Sequence, residues 1–210
     1  MLFLTNSKSD KKHLQRFISF DKESKTYNDI TLLQNELIAT GETKVIIVTS
    51  ANDDYLASAF AKALSHTFDL NGEKTLVIDA NLYEPQLPSF LFGLEEASKK
   101  VNSISSKTVK AISIDEKSDA ICFEKETYPS ECLKKGAIEK LIKKNEEKYD
   151  HLIIICPNVD KHDDFLLLEK DADCTLLVVR RNITERALIY NAINQFKDNN
   201  FPLPKTIIIK

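Results

Sequence analysis

Five short runs rich in β-branched residues constrain this chain more than any other feature: Val45 to Thr49, Thr75 to Asp79, Tyr149 to Cys156, Thr175 to Arg180 and Thr206 to Lys210. Most are continuously apolar rather than alternating. That is the pattern of strands buried on both faces, as in a parallel sheet covered by helices. Ala120 to Phe123 is a further strand candidate. The stretches between the runs carry helical periodicity. Tyr27, Ile30, Leu33 and Leu37 mark a helix over Ser24 to Ala39, closed by Gly41. A second helix is expected from Leu56 to Asp69, ahead of the turn at Asn71-Gly72. Pro129-Ser-Glu131 opens a third, expected to run unbroken through Leu133, Ile138, Leu141 and Ile142. Asp163 to Lys170 reads as a short apolar helix. Asn182-Ile-Thr-Glu185 matches a capping pattern for a helix through Leu188, Ala192, Ile193 and Phe196. Strands alternating with helices predict an α/β fold: a doubly wound, mostly parallel sheet flanked by helices in three layers.

Two stretches are less regular. Residues 1–23 read as a peripheral N-terminal arm, and residues 24–210 as a single domain. Pro85 and Pro88 argue against one continuous helix over Ala80 to Gly93. Residues 94–120 read as a connection with one or two minor strands, near Val109 and over Ala111 to Ile114.

Composition narrows the function. The 210 residues bury enough surface for a core without staples. A net charge of −3 argues against a general nucleic-acid binder. No apolar run approaches the ~18 residues of a membrane span. Met1-Leu-Phe-Leu is too short for a signal-peptide core, and lysines follow it. Cys122, Cys132, Cys156 and Cys174 have neither C-x-x-C spacing nor a histidine at ligand spacing. Reduced thiols in a cytoplasmic protein are therefore expected.

The first strand leads through a polar loop into a helix, a geometry that aims free N–H groups and a helix dipole at a bound phosphate. Against the pattern G-x-x-x-x-G-K-[ST], the loop reads Ala51, Asn52, Asp53, Asp54, Tyr55, Leu56, Ala57, Ser58. Only Ser58 matches. Leu56 replaces the second glycine and Ala57 the lysine. Asp53 and Asp54 add like charge at the phosphate position, where each close contact costs about 1–4 kcal/mol. Read alone, this is an ordinary strand–helix turn with Asp53 or Asp54 as the helix cap. The second buried strand ends in Asp79, at the sheet edge where open α/β folds place their ligand crevice. Asp79 reads equally well as a residue that caps a loop or accepts from Ser58 or Thr49.

Val45-Ile-Ile-Val-Thr-Ser-Ala-Asn52, Thr75-Leu-Val-Ile-Asp-Ala-Asn-Leu82 with Pro85 and Leu87, Pro129-Ser-Glu131, Tyr149 to Pro157 and Thr175 to Arg180 share an order and spacing. In this the chain resembles the bacterial tyrosine kinases of capsule and exopolysaccharide synthesis, within the P-loop group that includes the ParA and MinD ATPases. The resemblance spans about residues 24–210 and implies a P-loop NTPase-like sandwich. It also marks departures. The family's Asp-x-Asp motif is Asp79-Ala-Asn81 here, and its following basic pair is Tyr83-Glu84. The family's third motif places an Asp, which holds Mg²⁺ through water, where Ile155 stands ahead of Cys156 and Pro157. The family's tyrosine cluster has no counterpart among the scattered Tyr27, Tyr55, Tyr83, Tyr128, Tyr149 and Tyr190. Lysine, metal and positioning supply nearly all of phosphoryl-transfer catalysis. The expectation is therefore a pseudokinase-like protein with no catalytic residues, no bound metal and neither ATP nor magnesium as cofactor.

By the same resemblance, the expected partner is the cytoplasmic part of a membrane polysaccharide chain-length or export protein, or a related kinase. The protein would be recruited to the inner face of the membrane, and homo-oligomers are expected. Arg180 lies where the family holds the nucleotide base and is a candidate ligand contact; the plainer reading is a solvated Arg180-Arg181 pair. The alternative is a divergent ATP-dependent kinase or ATPase whose lysine has moved to Lys44, Lys62 or Lys74. A third reading fills the crevice with an uncharged or cationic ligand drawn by Asp53, Asp54 and Asp79. His66 reads as a surface or packing residue. Asp160, His162, Asp163 and Asp164 read as an acidic helix start in preference to a metal site, and Cys156 as a small buried hydrophobe.

Overall fold

The structure, a computed structural model, describes residues 25–39, 41, 43–106 and 108–209, so the arm expected over 1–23 lies outside it. The side chains of residues 25–27, 54, 94, 95 and 169 are also outside the description. Among the described residues, seven strands form one sheet: β1 (Val45–Ser50), β2 (Thr75–Asp79), β3 (Ile112–Ser113), β4 (Ser118–Ile121), β5 (His151–Ile155), β6 (Cys174–Arg180) and β7 (Lys205–Ile209). Their order is β3-β4-β2-β5-β1-β6-β7, and every pairing is parallel except β3 with β4. The helices are α1 (Lys25–Ala39), α2 (Asp54–Leu70), α3 (Leu87–Ala97), α4 (Pro129–Lys134), α5 (Ala137–Asn145) and α6 (Arg186–Asp198), with a 3₁₀ segment over Asp164–Asp171.

Side chains that alternate along each central strand divide the core into two layers. Ile46, Val48, Val77, Ile153, Ile155 and Val178 face the side covered by α1, α2 and α3. Ile47, Leu76, Ile78, Leu152, Ile154 and Leu177 face the side of α4, α5, α6 and the 3₁₀ segment. The central strands are apolar in both registers because both faces are covered, whereas β7, at the sheet edge, is largely exposed. The expected three-layer α/β architecture is therefore what forms.

Several element boundaries differ from the sequence expectation. Gly136, at φ 70°, splits the helix expected from Pro129 through Ile142 into α4 and α5. The apolar spacing continues across it because both halves pack on the same face. Pro88 occupies the first turn of α3, where a missing N–H costs nothing, so a helix forms inside the stretch expected to be irregular. The break falls instead at Gly93, φ 76°. The capping pattern at Asn182 does not cap α6. Asn182 sits at φ 62° in a turn, α6 follows Glu185, and the Thr184 hydroxyl accepts from Arg180 N at 3.0 Å. The 3₁₀ segment stands where a short apolar helix was expected, and α2 begins two residues before Leu56.

Cys122, Cys156 and Cys174 are buried and Cys132 is half-buried. Burial pushes the Cys122 and Cys156 thiols up, and the charge of Asp79 adds to it. Thiolate is the reactive form. Iodoacetamide at pH 8 is therefore expected to label Cys132 alone in the native protein and all four cysteines in urea, as counted by mass spectrometry. Rapid native labelling of Cys156 would contradict the packing described.

Candidate functional site

The site is a crevice at the carboxyl edge of the sheet. β1 continues into α2 on one face, whereas β5 continues into the 3₁₀ segment on the other. Adjacent strands whose connections leave on opposite faces open a crevice there. Four connections meet at it: those after β1, β2, β5 and β6.

Side chains of this chain fill the turn after β1. The Ser50 hydroxyl donates to Asn158 Oδ1 at 2.5 Å and accepts from Asp53 N at 2.7 Å. Thr49 Oγ1 donates to the Pro157 carbonyl at 2.8 Å. Val159 N donates to Ser50 O at 3.1 Å, so the connections after β1 and β5 are laced together. Asp53, in extended conformation (φ −146°, ψ 93°), is the N-cap of α2. Its Oδ1 accepts the Leu56 N–H at 3.2 Å, satisfying one of the helix's free donors. Its Oδ2 lies 2.7 Å from Arg180 Nη2 at the end of β6. The pair is largely screened from water, with side-chain exposures of 24% for Asp53 and 13% for Arg180. Asn52, at the exposed tip, accepts from Thr184 Oγ1 at 3.4 Å. Ser50, Asn52 and Asp53 therefore already have partners within the chain, and a carboxylate sits on the helix N-terminus where an anion would.

Ala51, Leu56, Ala57 and Ser58 are buried; Tyr55 is half-buried, with its ring 6.0 Å from that of Phe90. Asp79 is fully buried and accepts from Asn81 N at 3.2 Å and Leu87 N at 3.0 Å, holding the connection after β2 against the start of α3. Asn81 in turn accepts from Glu84 N at 3.2 Å. Ile155 pairs in register with both Val48 and Asp79, and its side chain is buried on the α2 face. Cys156 and Pro157 follow it, buried, with Cys156 N donating to Val48 O at 2.9 Å.

A second polar cluster lies beside Asn81. The Tyr83 hydroxyl contacts both Ser130 Oγ, at 2.7 Å, and Asp164 Oδ2. Ser130 Oγ also donates to Asp164, at 2.9 Å. The Tyr83 ring stacks on His162 with centroids 3.5 Å apart. Burial pushes the Tyr83 phenol up, with the hydrogen bond to Asp164 adding to it. His162 and Asp164 thus engage Tyr83 rather than a common centre. Among the described residues, no group of three His, Cys, Asp or Glu side chains is arranged to hold a metal.

The lysines considered as replacements for the missing one lie elsewhere. Lys62 is buried on α2 and ion-paired with Asp115, which His66 approaches to 3.3 Å. Lys44 and Lys74 immediately precede β1 and β2, on the edge of the sheet opposite the crevice. Sequence reasoning placed Asp53, Asp79 and Arg180 at this edge but did not pair Asp53 with Arg180. It also missed Ser50, Asn158 and Thr184. Each of these lies at or just past a strand end, which was the one signal available.

Neither a family model nor a curated protein sequence matches the chain. Solved structures do. The kinase domain of Escherichia coli tyrosine kinase ETK superposes with a TM-score of 0.80 at 18% identity, covering 91% of this chain and 78% of that one. The VpsO kinase domain matches with a TM-score of 0.77 at 17% identity, covering 97% and 99%. The MinD cell division protein of Aquifex aeolicus matches with a TM-score of 0.58 at 19% identity, covering 80% and 70%. The fold is thus shared with bacterial tyrosine kinase domains and, more distantly, with MinD, which is the fold that the motif resemblance implied.

Proposed function

We propose that this chain is a pseudokinase-like protein: it keeps the frame of a bacterial tyrosine kinase domain and works by binding a partner rather than by phosphoryl transfer. One observation carries the reading. The anion position at the N-terminus of α2 is taken by the chain's own Asp53 carboxylate, held by Arg180 at 2.7 Å. An incoming phosphate would have to displace that carboxylate and would meet no lysine from the loop. Ile155, in place of a metal-ligand acid, offers Mg²⁺ no oxygen. On this reading Ala51 to Ser58 is a degenerate phosphate loop and Asp79 with Asn81 a residual acidic motif. Ile155, Cys156 and Pro157 are the remnant of the third motif, and no nucleotide or magnesium is a cofactor.

The kinase domains that share the fold suggest the setting: capsular or extracellular polysaccharide synthesis or export. The partner would be the cytoplasmic part of a membrane chain-length or export protein, or a related kinase, with recruitment to the membrane's inner face through it. No helix among the described residues is long and apolar enough to cross a membrane itself.

Turnover tests the enzymatic side. Incubation with radiolabelled ATP and Mg²⁺ is expected to release no phosphate above a protein-free blank and to leave the protein's tyrosines unlabelled. Turnover abolished by Asp79→Ala would support the alternative, a divergent kinase or ATPase.

A further inference from the structure

The chain is acidic overall, with 32 Asp and Glu against 29 Lys and Arg, yet its lysines are unevenly placed. Residues 98–111 and 132–145 together carry nine lysines (99, 100, 107, 110, 134, 135, 140, 143 and 144) and a single acid, Glu139. The fold brings the described residues of these two segments together. The connection after α3 lies over α4 and α5, and between them is a hollow of about 410 Å³. Ile104, Val109 and Leu141 form its apolar floor, and Lys135, Lys140 and Lys144 stand exposed at its rim, Lys135 beside Glu131 at 3.8 Å and the Lys140 ammonium donating to the Lys135 carbonyl at 3.0 Å. Glu139 is not among the lining residues; its carboxylate turns back over Gly136. The hollow shares no residue with the crevice after β1, so nothing about the nucleotide site bears on it.

We infer that this hollow docks an acidic peptide segment of a partner protein, which seats one aliphatic or aromatic side chain on the floor while its carboxylates meet the lysine rim. The volume falls within the ~300–1,000 Å³ of ordinary ligand pockets, enough for an anchor side chain and its neighbours. Apolar floor and cationic rim select for both features of such a segment at once, and like-charged segments are repelled. A membrane surface fits less well. Helices that bind bilayers turn their apolar face outward, whereas Ile138, Leu141 and Ile142 of α5 face the protein interior. A bilayer would meet ammonium groups alone and leave the floor uncovered.

Two fluorescein-labelled peptides of equal charge test this by anisotropy: Asp-Glu-Glu-Phe-Glu-Glu-Asp, and the same peptide with Ala for Phe. At low salt the Phe peptide is expected to bind at least tenfold tighter. Lys140→Glu with Lys144→Glu should weaken it at least tenfold, and Ile104→Ser should remove the preference for Phe over Ala. Lys140 and Lys144 are exposed, Ile104 is half-buried in the floor, and circular dichroism verifies that each variant keeps the fold. Bound Phe peptide should also slow alkylation of Cys132, which lines the same hollow. Equal affinity for the two peptides, indifference to the lysine reversals, or binding to phosphatidylglycerol vesicles but to neither peptide would each overturn the inference.

Discussion

Phe196→Ala is expected to destabilise the protein by about 3–5 kcal/mol, the usual cost of removing a buried aromatic ring and leaving its cavity. Phe196 projects from α6, is fully buried, and meets Phe165 of the 3₁₀ segment at 4.9 Å and Phe201 at 5.5 Å between ring centroids. These three rings pin α6 and the 3₁₀ segment onto one face of the sheet. At this chain length each kcal/mol moves the midpoint by roughly 2–4 °C, so a fall of about 6–20 °C should appear in a thermal melt. Leu32→Ala on α1, where the side chain is 64% exposed, should change stability by no more than about 0.5 kcal/mol. A fall under about 3 °C for Phe196→Ala would mean that α6 does not pack as described.

The second large effect is at the crevice. Asp53→Ala removes a helix cap, worth about 0.5–2 kcal/mol, and strands the Arg180 guanidinium. Arg180 is mostly screened from water and its Nε is buried without a partner, so loss of Asp53 leaves it little compensation. Breaking a fully buried pair costs about 3–5 kcal/mol; with the exposure seen here, about 2–4 kcal/mol in all is expected. Asp53→Asn separates the two contributions. It keeps a capping oxygen and loses only the charge, and should cost roughly half as much. Arg180→Ala should be costly in the wild type and much less so beside Asp53→Ala. Denaturant titrations of the two single variants and the double give the coupling; strictly additive effects would show that the pair does not hold the loop.

The crevice connects to how far the sequence could be read. The β-branched runs from Val45, Thr75, Tyr149 and Thr175 fell on β1, β2, β5 and β6 because strands buried on both faces leave an unbroken apolar signature. The helices were legible as periodicity but not always as boundaries. Leu133, Ile138, Leu141 and Ile142 keep a helical spacing straight through the break at Gly136, since α4 and α5 pack on the same layer. In the sequence Pro88 reads as a breaker, whereas its position in the first turn of α3 makes it a starter. The Asp53–Arg180 pair was not legible. The two residues are far apart in sequence, and only the pairing of β1 with β6 brings them together. The same holds for Ser50 and Asn158, which meet because β5 lies on the other side of β1. Composition carried the lysine-rich segments in plain view, but only the fold shows that they enclose one hollow.

On the proposed reading, the chain itself occupies the anion position of the loop after β1. Isothermal calorimetry with MgATP up to millimolar nucleotide tests it most directly. No binding heat above dilution is expected with the wild-type protein, with or without Mg²⁺. A micromolar, Mg²⁺-dependent affinity would contradict it, because the nucleotide would then have to displace Asp53 from both the helix N-terminus and Arg180.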